Sequence, residues 1–258
     1  MTLILLHFFG SSHREYGPMI DILSQNYTCL APDLRGFGDD ASTTETDFSV
    51  DAMTDDVLAL IREQVREPFV LVGHSMSGKV ALNVAARQPD GLLGLVLLAP
   101  SPPSPEPIDD DESQRLLTTH GQREAAEETL SKITAVQLSE AYGEIIISDD
   151  LRASPAAWAA WLERGSREDI SDRMEHVQAP IQIVLGEKDD HINADLMQKT
   201  LLTHFPGTSM ITIERAAHVL PLEKPAEVAA IVDTFAAWLS SKPTPTPSGA
   251  TRPMPPVN

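Results

Sequence analysis

Apolar residues gather along this chain in short, unbroken runs: Thr2–His7, Tyr27–Ala31, Phe69–Val72, Leu95–Ala99, Ile181–Leu185 and Ser209–Ile213. Runs that are continuous rather than alternating predict strands covered on both faces of a mostly parallel sheet. Stretches with helical spacing separate most of them. Pro18 is placed to open one helix, with Met19, Ile22 and Leu23 inward. Ser49 reads as the N-cap of a second, burying Met53, Val57 and Ile61. A third runs from about Ser75 to Gln88 with Val80 and Val84 inward, and stops before Pro89. A last one starts near Pro225 and is expected to bury Val228, Ile231, Phe235 and Trp238. Strands alternating with helices predict an α/β fold with a parallel sheet of about six strands.

Residues 101–178 break that rhythm. Pro102, Pro103, Pro105 and Pro107 form a stiff exit from the fourth strand, and the acidic cluster Asp109–Glu112 follows. That cluster reads as a solvated helix N-terminus, because acids there suit the helix dipole. Further helices are predicted, one with Ser154 as N-cap and Pro155 as its first residue, another starting at Ser166–Asp169. The expected division is a core of residues 1–100 and 179–241, a helical cap at 101–178, and a tail at 242–258. The tail is rich in Pro, Thr and Ser and cannot bury a core, so it is expected to be extended and disordered.

The 258 residues fit one large domain with a modest insertion. A formal charge of −19 repels phosphate backbones and anionic lipid surfaces, which disfavours nucleic-acid and membrane binding. The single cysteine, Cys29, excludes an internal disulfide framework and reads as a buried core thiol. No apolar run approaches the length of a membrane span, and Thr2–Leu6 is too short for a signal peptide, so the expected location is the cytoplasm. No G-x-G-x-x-G fingerprint occurs, and His191 has no partner at metal-ligand spacing, so neither cofactor nor metal is implied.

The sharpest chemical signal is the stretch from Phe69 to Ala81, in which a buried strand runs through Gly73-His74-Ser75-Met76-Ser77-Gly78 directly into a helix. A serine on such a tight turn is exposed at the carboxyl edge of the sheet, provided the flanking residues are small enough for strand and helix to close up. Asp189 follows the fifth strand and His218 the sixth. The three therefore lie beyond the carboxyl ends of three strands, in the chain order expected for this nucleophile turn. Acyl transfer also needs donors aimed at the developing oxyanion. The backbone N–H of Met76 and that of Phe9, in the loop His7–Ser12, are the candidates. His7 is expected to brace that loop, and His74 to pack within the turn.

On His7–Gly10, Ala31–Gly38, Gly73–Gly78, Gly186–Asp189 and His218–Pro225 the sequence resembles the α/β-hydrolase superfamily. The resemblance implies Ser75 as nucleophile, Asp189 as acid, His218 as base and residues 101–178 as a lid. The chain departs from the common pattern at Phe8 and Ala217, where glycine is usual, and begins at the family's third strand, so two leading edge strands are expected to be absent. The expected activity is hydrolysis of small to medium uncharged carboxylic esters or lactones, with Phe8, Tyr142, Trp158, Trp161, Val219 and Leu220 around the substrate. Carbon–carbon bond hydrolysis, perhydrolysis and non-catalytic ligand binding remain open alternatives. Nothing in the sequence speaks to the oligomeric state.

Overall fold

The computed structural model describes residues 1–241; the tail expected at 242–258 lies outside the described residues. Six strands, β1 Thr2–Leu6, β2 Thr28–Leu30, β3 Phe69–His74, β4 Leu92–Leu98, β5 Ile181–Gly186 and β6 Ser209–Ile213, form one sheet in the order β2-β1-β3-β4-β5-β6. Every pairing is parallel. All residues of β1, β3 and β5 are buried, as continuous apolar runs require, while the edge strands β2 and β6 are only partly covered. Cys29 lies on edge strand β2 and is half-buried rather than sealed in the core.

Helices α1 Gly17–Leu23, α2 Val50–Gln64 and α3 Met76–Ala86 connect the first four strands. Four more, α4 Asp110–Thr119, α5 Arg123–Ile133, α6 Glu140–Arg152 and α7 Pro155–Glu163, lie between β4 and β5. Short helices α8 Ala194–Lys199 and α9 Leu201–His204 precede β6, and α10 Leu220–Glu223 and α11 Pro225–Ser240 follow it. Caps fall where the sequence puts them. Ser49 Oγ accepts from the Ala52 N–H at the start of α2, and Asp109 accepts from Asp111 and Glu112 at the start of α4. Pro155 is the first residue of α7, although Ser154 makes no side-chain cap there.

Three expectations need correction. Ile22 is 42% exposed, because the short α1 meets the core through Met19, Ile20 and Leu23 instead. Trp238 is 45% exposed; α11 buries Val228, Ala229, Val232, Ala236 and Leu239 instead. Its small residues let the helix approach the sheet, and the larger Phe235 and Trp238 rings stack at the margin, 5.6 Å apart. Residues 165–176 form 3₁₀ turns, Gly165–Arg167 and Ser171–His176, rather than another α-helix.

The sheet order reverses between β1 and β3, so a crevice opens at the carboxyl ends of these neighbours. The loop after β1 and the turn after β3 both face it.

Candidate active site

Ser75 joins β3 to α3 with φ 52° and ψ −117°, a conformation that strains any residue with a side chain. The turn is held on both sides. The Ser75 N–H donates to Leu98 O at 2.9 Å, and its carbonyl accepts from the N–H groups of Gly78 and Ser101. Gly73 and Gly78 are required by space: a Cβ on Gly73 would sit 2.6 Å from Ser77 O, and one on Gly78 2.5 Å from Pro100 Cβ. Ser77, where a second glycine might be expected, is small and fully engaged. Its hydroxyl donates to Leu6 O at 2.6 Å and accepts from the His74 N–H at 2.8 Å. Of the two serines, only Ser75 lines the cavity described below.

Asp189 and His218 meet beyond β5 and β6. His218 Nδ1 lies 2.6 Å from Asp189 Oδ2, while Asp189 Oδ1 accepts from the N–H groups of His191 and Ile192. Burial opposes ionisation of Asp189, but His218 and these backbone donors outweigh it and hold the carboxyl below its usual range. For His218 burial acts downward, and the charges of Asp189, Glu106 and Glu15 with the Asp189 hydrogen bond prevail, so its pKa is raised. Gly186 allows the close approach: a Cβ there would lie 2.0 Å from Ala217 O. The two loops thus touch through backbone.

The loop after β1 is fixed from behind. Leu34 N–H donates to His7 Nε2 at 3.0 Å, which leaves the His7 proton on Nδ1, donated to Phe8 O at 2.8 Å. Burial lowers the pKa of His7, consistent with a neutral brace. Phe9 and Met76 lie beside the crevice, and among the described residues neither backbone N–H donates to a protein acceptor.

Ser75, Asp189 and His218 line a single cavity of about 320 Å³. Phe8, Phe9, Trp158 and Trp161 share its wall, and α4–α7 contribute Leu116, Leu130, Ile146 and Asp150. The Phe9 and Trp158 rings pack 4.3 Å apart. Three pocket candidates lie elsewhere: Tyr142, Val219 and Leu220 do not line the cavity. Tyr142 and Val219 pack behind it in a cluster with Phe8, Ile146 and Leu222, and Leu220 is sealed in the main core. The residues after His218 turn inward because the following helix α10 must be anchored.

Five charged or polar groups stand at or behind the site, and of these the local sequence pointed only to His74. Asp150 faces the cavity from α6, and burial pushes its pKa up to about 6. Glu15 and His74, both fully buried, join at 2.8 Å. Glu223 accepts from Ala217 N and Val219 N on one oxygen and from Ala135 N on the other, tying the His218 loop to the chain after α5. Lys79, buried on α3, donates to the carbonyls of Ser104, Ser166 and Glu168, where the α4–α7 segment leaves and rejoins the core. Burial draws its pKa down to about 8. Only a fold that brings distant segments together reveals these partners.

His13, Asp33 and Asp39 place ligand-type atoms within 4.8 Å of one another. Asp33 is already spent on the N–H groups of His13 and Asp39 and on the His13 ring, and Asp39 is paired with Arg152. The group closes the turn around Gly36–Gly38 and lies apart from the cavity.

Fold, strand order and turn now bear on kinship. The sequence profile of the Alpha/beta hydrolase family matches residues 3–231, and the chain belongs to that family. Among its relatives is the pimeloyl-[acyl-carrier protein] methyl ester esterase of Aeromonas hydrophila, 26% identical over 250 residues, covering 90% of this chain and 94% of that protein. The 2-(acetamidomethylene)succinate hydrolase of Mesorhizobium japonicum is 26% identical over 234 residues, covering 84% and 81%. An esterase structure from Exiguobacterium antarcticum superposes with a TM-score of 0.81 at 17% identity, over 93% of this chain and 92% of that one. Among the described residues no helix is long and apolar enough to cross a membrane.

Proposed function

We propose that this protein is a serine hydrolase that cleaves small to medium, uncharged carboxylic esters or lactones through an acyl-enzyme on Ser75. The observation that carries the reading is the strained Ser75 turn opening into the same cavity as the bonded His218–Asp189 pair. Ser75 Oγ attacks the carbonyl carbon while His218 Nε2 takes the hydroxyl proton. The carbonyl oxygen becomes an oxyanion received by the N–H groups of Phe9 and Met76. Asp189 fixes the imidazole tautomer and stabilises its cation. The tetrahedral intermediate collapses, His218 returns the proton to the departing alkoxide, and the acyl group stays on Ser75. Water then attacks this ester, His218 again taking and returning the proton, and the acid leaves.

The esterase-named relatives support ester chemistry. A cavity of about 320 Å³, near the small end of ligand sites, favours modest acyl groups. The charge of −19 and a cavity wall on which the acids Glu106, Asp109, Glu112, Asp150 and Asp190 outnumber the lysines Lys132 and Lys188 disfavour anionic substrates, nucleic acids and anionic membranes. No cofactor takes part in these steps.

The test is hydrolysis of a panel of chromogenic esters and lactones, with mass spectrometry of a fluorophosphonate adduct. Turnover with a single adduct on Ser75 supports the reading. Labelling at another serine, or binding of the panel without any burst, overturns it.

A further inference from the structure

Glu15 and His74 are both completely buried, and neither has a part in the steps just described. They arrive from separate places. Glu15 stands in the 3₁₀ turn His13–Tyr16 that follows the oxyanion loop, and His74 is the last residue of β3, immediately before the nucleophile. One Glu15 oxygen, Oε1, meets His74 Nδ1 at 2.8 Å. The other, Oε2, accepts from the Phe8 N–H at 3.4 Å. On the far side of the ring, His74 Nε2 lies 2.8 Å from the backbone carbonyl of His218.

A carbonyl oxygen only accepts, so Nε2 carries hydrogen. A hydrogen also lies between Nδ1 and Oε1, so both ring nitrogens are engaged. Removing such a pair in favour of apolar residues of equal volume is often neutral or stabilising, so stability alone does not account for it. What the pair does is join two main-chain segments that must agree in position. Through Phe8 it holds the loop whose next residue, Phe9, offers an N–H to the oxyanion. Through the imidazole it holds the peptide of the base. The rings of Phe8, His74 and His218 pack on one another, with centroids 5.1, 6.1 and 5.4 Å apart, so a shift of one moves the others. Glu223 and Ile133 hold the His218 loop at other backbone atoms, while the His218 carbonyl is shared between the His74 ring and the Leu220 N–H, at 2.8 and 2.9 Å.

We propose that Glu15 and His74 form a positioning relay that keeps the oxyanion loop and His218 in a common register around Ser75; this rests on the serine-hydrolase reading. Small misplacements of such groups are expensive: about 1 Å is worth on the order of 10²-fold in rate. The charged groups around His218 are Asp189, Glu15 and Glu106, with His74 between Glu15 and the base.

Two amide substitutions separate the halves of the relay. In His74→Gln the amide nitrogen takes the place of Nε2 and can still donate to His218 O, whereas in His74→Asn it takes the place of Nδ1 and can reach only Glu15. The expected result is a kcat at least tenfold higher for His74→Gln than for His74→Asn, with KM of a short chromogenic ester within about threefold in both. Glu15→Ala lowers kcat by a similar factor, and Glu15→Gln recovers most of it. Equal kcat in the two amide variants, or a loss confined to KM, overturns the relay.

If the variants fail to fold, histidine-labelled wild type decides by NMR: the His74 Nε2–H resonance must shift when a fluorophosphonate fills Ser75, and an unmoved resonance refutes the coupling. Absence of any adduct on wild-type Ser75 overturns the underlying reading, and the relay with it.

Discussion

Ser75 and Asp189 follow strands that are buried throughout and His218 follows the partly covered edge strand β6, whereas the first two helices of the wall facing them, α4 and α5, are largely exposed. Every residue of β3 and β5 is buried. In α4 and α5 the buried residues are Ser113 and Ala126 alone. The sheet edge is fixed by close backbone approaches, such as Gly186 against Ala217 and Gly78 against Pro100. The helical wall is laced by exposed ion pairs, among them Arg123–Glu144 and Lys132–Glu128, which contribute little individually. One region has a single arrangement available to it; the other can repack. Chemistry demands the first property and substrate choice tolerates the second.

The largest expected effects fall on the sheet edge. Ser75→Ala should lower kcat by roughly 10⁶-fold, with the thermal midpoint little changed, because alanine keeps the Cβ and the strained backbone and only the hydroxyl is lost. Asp189→Asn should cost about 10⁴-fold, against less than tenfold for the exposed neighbour Asp190→Asn, both read as acylation burst rates. Equal effects at 189 and 190 would break the contrast between a fixed and an adaptable region.

The wall should respond in selectivity rather than in chemistry. Trp158 packs on Phe9 and stacks with His120 at 4.4 Å. Trp158→Ala is expected to lower kcat/KM for short esters by about 10- to 100-fold, as loss of apolar contacts in a substrate pocket would, and to move the optimum toward longer acyl chains. Rates across a chain-length series check it; an unchanged optimum would mean that the wall does not set size.

Smaller again is the effect of pH. A general base must be neutral, and Asp189 raises His218 above 6.5 despite its burial. Acylation should therefore fall on the acid side of a midpoint above 6.5, and Asp189→Asn should move that midpoint down. Single-turnover profiles from pH 5 to 9 decide the sign; a midpoint below 6.5 in wild type would show that burial wins.

The two regions also differed in how legible they were. Unbroken apolar runs announced β1, β3 and β5, and the strand–serine–helix passage announced the turn at Ser75, because both depend on neighbours in sequence. Trp238 misled: the spacing Val228, Ile231, Phe235, Trp238 is helical, but the helix buries Val228, Ala229, Val232, Ala236 and Leu239, and it is Leu239 and Phe235 that fill the space over Gly94. Val219 and Leu220 misled in the opposite way, since adjacency to His218 in sequence does not bring them to the cavity. Glu15 gave no sign at all. Its partners His74 and Phe8 come from a following strand and a preceding loop, and no local periodicity encodes that meeting.

Lys79 has a consequence for how the molecule can vary. Its ammonium gathers the carbonyls of Ser104, Ser166 and Glu168, and nearby Ile170 N–H donates to Pro103 O. The two feet of the α4–α7 excursion are thereby stapled together beside α3. In polymer terms, the chain between them is a loop whose ends are already closed, and doubling the length of such a loop adds only about 0.6 kcal/mol of closure entropy. Helices could be lengthened, shortened or exchanged between the feet with little strain on β4, β5 or the turn at Ser75. A graft of a foreign excursion onto residues 104 and 166 should therefore leave the fluorophosphonate reaction intact while changing which esters are accepted, and the same graft in a Lys79→Met background should unfold at lower urea.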